Sequence, residues 1–216
     1  MLKADLYYSF RSPYSYLGAA RYRQLTRDWD LQIDLRPVYP VAVRNPGFFK
    51  TVNPLWVPYL LHDVKRVAEF NGIPFQFPKP DPIVQDMETR AIAAEQPSIY
   101  RLTWLALEAA RRGKGLEFAC EVGHALWGEG IEDWHLDENL GPIVARCGLD
   151  LVELDAAVSG RDAELDAEVN ANQAAEEAAG HWGTPCLIFD GEPFFGQDRI
   201  EMAIWRMQQH GLKPRV

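Results

Sequence analysis

The stretch SFRSPYSYLG, at residues 9–18, sets how the rest of the chain is arranged. Residues 5–8, just before it, suit a pleated, half-buried surface and favour a strand. After it, apolar side chains recur at close to helical spacing as far as residue 25. Ser12 stands where a helix N-cap belongs, and Pro13 stands at the first helical position, where a missing N–H costs nothing. The stretch therefore predicts a strand that leads to a serine at the positive end of a helix, where an anion can be held.

The composition is that of an ordinary globular chain. It has 216 residues, of which 47% are hydrophobic and 25% are charged. We therefore expect one compact domain or one domain with a large insertion. No signal-peptide pattern and no apolar run of membrane-spanning length is visible, so we expect a cytoplasmic protein that does not bind membranes. The net charge of −9 argues against nucleic acid as a partner.

Cysteine and histidine usage predicts neither disulfides nor a metal site. The three cysteines (Cys120, Cys147 and Cys186) are odd in number and widely spaced, and the five histidines form no ligand pattern. The expected role of Cys186 is that of a small buried hydrophobic residue on a strand.

The periodicity of the chain divides it into three parts. Alternation at residues 31–38 predicts a second strand, parallel to the first and reached through the first helix. Residues 185–189 and 192–195, joined by a turn at Asp190 and Gly191, predict a hairpin, and an amphipathic helix follows residue 199. Between these parts the pattern is helical, with segments at about 56–70, 84–95, 98–112, 117–127, 136–147, 151–158 and 163–179.

The order of these elements defines a fold. Strand–helix–strand, a long helical stretch and then strand–strand–helix is typical of an α/β protein with a thioredoxin-like fold and a large all-helical insertion. Strands at both ends of the chain must share one sheet, because an isolated hairpin is only marginally stable. We expect a discontinuous thioredoxin-like domain at residues 1–55 and 181–216, with a helical insertion domain at 56–180.

This fold places its reactive group at the start of the first helix, opposite a cis proline that opens the third strand. Ser12 and Ser15 occupy the positions of the two cysteines of a Cys-x-x-Cys motif, and Thr184-Pro185 supplies the proline, whose peptide bond we expect to be cis and in contact with the Ser12 hydroxyl. A serine cannot exchange disulfides, because the thiolate is the nucleophile in that chemistry. A hydroxyl at a helix N-terminus can instead donate a hydrogen bond to the thiolate of another molecule. Taken alone, the local pattern favours a helix cap over a chemical role for Ser12.

Several motifs together resemble one family. The stretch YSFRSPYSYL at 8–17 is similar to the N-terminal motif of 2-hydroxychromene-2-carboxylate isomerases, which are relatives of kappa-class glutathione transferases and of the DsbA group. Further matching stretches follow in the family's order: NGIP at 71–74, LWGEGI at 126–131, WGTP at 182–185 and FGQDR at 195–199.

The resemblance implies a glutathione-dependent cis–trans isomerisation of an aromatic 2-oxo acid in aromatic compound degradation, by a homodimer. Ser12 would activate the thiolate of glutathione, which is the implied cofactor. The remaining implied binding residues are Thr184 and Pro185 for the glutathione backbone, Phe195, Gly196, Gln197 and Asp198 for its γ-glutamyl end, and Arg44 and Asn53 for the substrate, a small aromatic carboxylate.

One departure and two alternatives stand beside this interpretation. The family often carries a lysine next to the tyrosine that corresponds to Tyr59. Here the first lysine after Tyr59 is Lys65, six residues further along the chain. A kappa-like glutathione transferase or peroxidase would share the same thiolate site. A non-catalytic thioredoxin-like binding module would also explain the two serines.

Overall fold

The N-terminal part is a strand–helix–strand unit, seen in a computed structural model that describes residues 1–86 and 88–215. Its elements are β1 (Leu2–Tyr8), α1 (Pro13–Asp28) and β2 (Leu31–Pro37). β1 and β2 pair in parallel over seven residues each, as predicted. Along β2, buried and half-buried side chains alternate, which explains why the sequence pattern identified the strand.

Helices make up most of the middle of the chain. They are α2 (Val41–Arg44), α3 (Phe48–Thr51), α4 (Trp56–Asn71), α5 (Pro97–Arg111), α6 (Gly115–His124), α7 (Asp137–Arg146), α8 (Leu151–Val158) and α9 (Asp162–Ala178). Six of the seven predicted segments in this region are confirmed to within a few residues. α4 ends as the sequence indicated, because Gly72 adopts the left-handed conformation that terminates a helix.

The predicted helix at 84–95 is wrong. The Asp86 carboxylate accepts the backbone N–H groups of Glu88 and Thr89 at 2.9 and 2.7 Å. These groups are thereby satisfied in a turn instead of a helix. An isolated antiparallel bridge joins Gln85 to Ile92 across that turn. Met87, which belongs to the predicted segment, lies outside the described residues.

Both ends of the chain meet in a single sheet of four strands. β3 (Cys186–Phe189) and β4 (Glu192–Phe195) form the predicted hairpin, followed by a 3₁₀ turn (Gln197–Arg199) and α10 (Ile200–Gln209). The strand order is β2-β1-β3-β4, with β3 antiparallel to both of its neighbours. The thioredoxin-like fold class is thereby confirmed, while the division into two domains stays a prediction.

A π-helical turn fastens the helical part to the start of α1. This turn (Ala125–Glu129) carries Trp127, whose side chain is buried. The indole Nε1–H donates to the carbonyl of Phe10 at 2.9 Å, two residues before Ser12. The sequence motif LWGEGI therefore has a structural use, since it holds the loop that leads into the candidate site.

Within the described part of the chain, the structure contains no helix that combines the length and the apolar character needed to cross a bilayer.

We expect Trp127→Phe to destabilise the fold by about 1–3 kcal/mol, because the variant keeps most of the ring packing and leaves the buried Phe10 carbonyl without its donor. Urea unfolding would measure the change. The matched control is Trp205→Phe on α10, since the Trp205 side chain is 52% exposed. This control should cost less than about 0.5 kcal/mol. Equal effects of the two substitutions would show that the Trp127 bond contributes nothing.

Candidate active site

The two sequence motifs meet at a single hydrogen bond. The Ser12 hydroxyl donates to the Thr184 carbonyl at 2.9 Å, and the Thr184-Pro185 peptide bond is cis. The predicted contact and the predicted cis bond are both confirmed. Among the described residues, no protein atom accepts from the Thr184 N–H, so this donor is available to a ligand.

Ser12 also caps α1, as the sequence predicted. Its hydroxyl oxygen accepts the Ser15 N–H at 3.3 Å. The first turn of α1 contains no acidic residue, so its partial positive charge is not offset there. The Ser15 hydroxyl, in the place of the second cysteine, is fully buried and has no hydrogen-bond partner in the described structure.

The stretch at 195–198 is tied to the cis proline. The Gly196 N–H donates to the Pro185 carbonyl at 2.8 Å. Gly196 has a φ of +97°, and a Cβ there would lie 2.5 Å from a carboxylate oxygen of Asp198. The backbone conformation therefore favours glycine, whereas the end of the Asp198 side chain could move aside. Gln197 packs against α1, where a Cβ on Gly18 would lie 3.2 Å from the Gln197 Cβ. The fold therefore brings four of the predicted glutathione residues to the proline.

The two predicted substrate residues are placed differently. Asn53 is exposed, and its side-chain oxygen accepts the Leu55 N–H at 3.0 Å at the entrance to α4. Arg44 is largely buried, and its Nη2 donates to the Trp182 carbonyl at 2.7 Å, two residues before Thr184. Arg44 thus reaches the proline segment, whereas Asn53 makes its hydrogen bond within its own loop.

A buried acid lies next to Arg44. Glu176 on α9 is fully buried, and neither carboxylate oxygen has a hydrogen-bond partner among the described residues. Its Oε2 is 3.8 Å from Arg44 Nη1. That is an ion-pair distance but too long for a hydrogen bond. Burial raises the pKa of Glu176 to about 8, so the group keeps its proton at neutral pH. Burial also lowers the pKa of Arg44.

The chain offers no reactive thiol among its described residues. All three cysteines are free, and burial raises the pKa of each of them to about 12. Cys186 is fully buried on β3, as the sequence predicted. Within the same described ranges, no group of three or more histidine, cysteine or acidic side chains could hold a metal ion.

An aromatic wall, which the sequence interpretation missed, flanks the proline segment. Its rings form a spatial row that runs from β4 to α4, and neighbouring ring centroids are 4.0 to 5.8 Å apart. In that order, the rings belong to Phe195, His181, Trp182, Phe48 and Trp56. Phe49 packs against Phe48, and the Arg11 guanidinium lies 5.7 Å from the centre of the Phe49 ring. The adjacent phenylalanines Phe48 and Phe49 were the available signal in the sequence.

Two further side chains hold the Arg11 guanidinium in place. Its guanidinium makes a bidentate pair with Asp81 at 2.8 and 3.0 Å and donates to Gln85 at 3.1 Å. A cation therefore lies beside Ser12, with its orientation set mainly by Asp81 and also by Gln85, which lies in the segment that the sequence had wrongly assigned to a helix.

A capping serine, a cis proline and a helical middle part together define a class of protein. Residues 3–207 match the sequence model of the DsbA-like thioredoxin domain, so the chain belongs to that family.

Comparison with individual proteins shows which members of the family this chain resembles. Over 203 residues, the chain is 26% identical to the 2-hydroxychromene-2-carboxylate isomerase of Pseudomonas putida, covering 92% of this chain and 90% of that protein. A solved 2-hydroxychromene-2-carboxylate isomerase superposes with a TM-score of 0.72 at 23% identity, covering 97% of this chain and 96% of the other. The cytosolic disulfide reductase DsbM of Pseudomonas aeruginosa, solved with GSH, gives a TM-score of 0.60 at 18% identity and covers 97% and 100%. These comparisons confirm the resemblance found in the motifs.

We expect Glu176→Gln to become progressively more stabilising relative to the natural chain as the pH rises from 5 to 8. The unfolded carboxyl releases its proton near pH 4.5, while the folded one holds it to about pH 8. The natural chain therefore loses stability through this window, by up to about 1.4 kcal/mol per pH unit. Glutamine cannot titrate and avoids the loss. Urea unfolding at several pH values would measure the difference.

The exposed Glu95 supplies the control, since Glu95→Gln should show no such trend. A constant offset between the natural chain and Glu176→Gln at all pH values would contradict the raised pKa.

Proposed function

We propose that the protein is a glutathione-dependent isomerase that interconverts the cis and trans forms of an aromatic 2-oxo acid, of the 2-hydroxychromene-2-carboxylate to trans-o-hydroxybenzylidenepyruvate type. One observation carries the proposal: the Ser12 hydroxyl contacts the carbonyl before a cis proline in a chain whose own thiols have raised pKa values and stay protonated. The relative from Pseudomonas putida, named an isomerase, supports an isomerase role.

Ser12 has the chemistry needed to stabilise a thiolate. Its hydroxyl proton is directed at the Thr184 carbonyl and can turn to a stronger acceptor, such as a sulfur anion that enters between the two groups. The start of α1 adds unopposed positive potential at the same point. Both effects lower the pKa of a bound thiol and raise its reactive fraction at neutral pH.

The proline segment fits a short thiol-bearing peptide. The Thr184 N–H can pair with the peptide backbone in the manner of an added strand. Phe195, Gly196, Gln197 and Asp198 lie next to Pro185. The Asp198 carboxylate is 59% exposed, and one of its oxygens pairs with Arg199 at 2.6 Å while the other can meet an ammonium group. These groups complement the backbone and the ammonium group of glutathione. The disulfide reductase DsbM, which has the same fold, was solved with GSH.

Bound glutathione would supply a thiolate that adds to the conjugated double bond of the substrate, allows rotation about the resulting single bond and leaves again. The protein would position the substrate. The aromatic wall offers exposed faces at Trp182 and Trp56 for an aromatic ring. Arg11 and Arg44 would attract the carboxylate of the substrate. Asn53 would lie at the outer edge of the site, in the segment between α3 and α4.

The structure also bears on the two alternatives. A kappa-like transferase or peroxidase would use the same Ser12 site, so turnover of a conjugated 2-oxo acid must be compared with that of a generic electrophile. A non-catalytic module would turn over neither. We further propose that the protein is cytoplasmic and forms a homodimer, which sedimentation would test. We also propose that its two domains have the boundaries expected from the sequence.

We expect Ser12→Ala to reduce isomerase turnover at saturating glutathione by roughly a hundredfold, because the thiolate loses a charge-assisted donor at the reacting atom. Loss of the cap should cost only about 1 kcal/mol of stability. Ser15→Ala is the matched control from the same motif. The buried Ser15 hydroxyl has no hydrogen-bond partner among the described residues, so its loss should leave turnover unchanged and should not lower the melting temperature. Full activity in Ser12→Ala would leave Ser12 as a helix cap alone.

We expect Ser12→Cys to form a mixed disulfide with glutathione, because a second sulfur then occupies the place of the hydroxyl. We expect this variant to lack the isomerase activity of the natural chain. Mass spectrometry after incubation with oxidised glutathione would detect the adduct, and a reducing agent should remove it. Absence of the adduct would mean that the glutathione sulfur does not approach position 12.

A further inference from the structure

The backbone of residues 182–185 is held from several directions. Three of its carbonyl groups accept hydrogen bonds from distant parts of the fold: Trp182 from Arg44 at 2.7 Å, Thr184 from Ser12 at 2.9 Å and Pro185 from Gly196 at 2.8 Å. Its Gly183 N–H is held differently, because it donates to the side chain of His181, through Nδ1, at 2.9 Å. This bond fixes the peptide plane between Trp182 and Gly183, which is one plane before the plane that carries the Thr184 N–H.

The His181 ring is itself fixed in place. It stacks on Phe195 with 4.0 Å between ring centres and 21° between planes, and on Trp182 with 5.8 Å and 11°. A Cβ on Gly183 would lie 2.8 Å from the Phe195 ring and 3.1 Å from the His181 ring. The two rings therefore cover the peptide that they help to orient, and only glycine fits beneath them.

We propose that His181 is a positioning residue for ligand binding, whose imidazole fixes the Gly183 N–H and thereby directs the Thr184 N–H toward the ligand backbone. The inference rests on the proposed function, which makes glutathione that ligand. An imidazole nitrogen accepts a hydrogen bond only when it carries no proton. A protonated His181 would set two N–H donors against each other, and the segment would lose this restraint.

The inference gives ligand binding a defined dependence on pH. Burial lowers the pKa of His181 below its ordinary value of 6.5. The accepting form therefore prevails at neutral pH and disappears as the pH falls through the lowered pKa. Charged and titratable groups on the surrounding elements are Glu176 and Glu177 on α9, Arg44 on α2, Cys186 on β3 and Asp198 in the 3₁₀ turn. Arg44 stays charged and Glu176 stays protonated at acidic pH, so neither accounts for a change there.

Two variants separate the hydrogen bond from the stacking. His181→Asn keeps an acceptor two residues before the Gly183 N–H, as in an Asx turn, and removes the ring. His181→Phe keeps the ring and removes the acceptor. Calorimetric titration with glutathione at pH 7.0 should show His181→Asn within about twofold of the natural chain and His181→Phe about five- to tenfold weaker.

The pH profile distinguishes positioning from a merely structural role. Between pH 7.0 and 5.0 the natural chain should lose more affinity for glutathione than His181→Asn does, because the bound thiol titrates alike in both proteins and only the natural chain also loses the His181 acceptor. His210→Asn is the control, because His210 lies beside Phe189 at the far end of β3 and should retain the natural profile. Equal acid sensitivity in His181→Asn and the natural chain would overturn the inference.

A measurement without ligand keeps this inference separable from the proposed function. The Gly183 amide proton, followed by NMR, should move upfield in His181→Phe and stay near its natural position in His181→Asn. If the natural chain binds no glutathione, the proposed function fails, and an unmoved Gly183 signal in His181→Phe would overturn the positioning role as well. If the natural chain binds and His181→Phe binds equally well, only the inference is overturned.

Discussion

The hydrogen bond from Ser12 to Thr184 joins residues 172 positions apart in the sequence. It forms because β1 and β3 are antiparallel neighbours, with Tyr7 opposite Cys186. In such a pair, the residues that follow one strand lie beside those that precede the other. The loop after β1 and the segment before β3 must therefore meet, and the long helical excursion between them serves to brace that meeting point through Trp127.

The parts of the fold that follow local rules could be predicted from the sequence. The Ser12 cap, the left-handed Gly72 and the hairpin turn at Asp190 each depend on neighbours within a few residues. The segment at 84–95 failed because its apolar spacing permits a helix, while one side chain, Asp86, satisfies the backbone in another way.

The long-range part of the site could not be predicted in the same way. Rings from α3, the proline segment and β4 join only when the chain is folded, and nothing in the spacing of Phe48, Trp182 and Phe195 indicates that they touch. The isolation of Glu176 is likewise a property of its surroundings, since a glutamate on a helix is ordinarily solvated. Sequence motifs pointed to the candidate site, whereas its aromatic wall and its electrostatics arise from packing.

Arg44 shows how that packing shapes the local field. The chain carries a net charge of −9, which opposes the approach of an anion. Because Glu176 holds its proton at neutral pH, the nearest acid does not cancel the charge on Arg44. Burial therefore gives the proline segment a positive neighbour that a count of charges would not reveal.

The serine at position 12 has a consequence for how the protein meets oxidative stress. A protein that exchanges disulfides changes state with the redox poise of its surroundings, because its cysteines are oxidised and reduced in turn. Ser12 stores no electrons, and the three thiols are too poorly ionised for ready oxidation. If the site uses glutathione as we propose, an oxidant would deplete that thiol and leave Ser12 unaltered, so that activity would return once reduced glutathione is replenished.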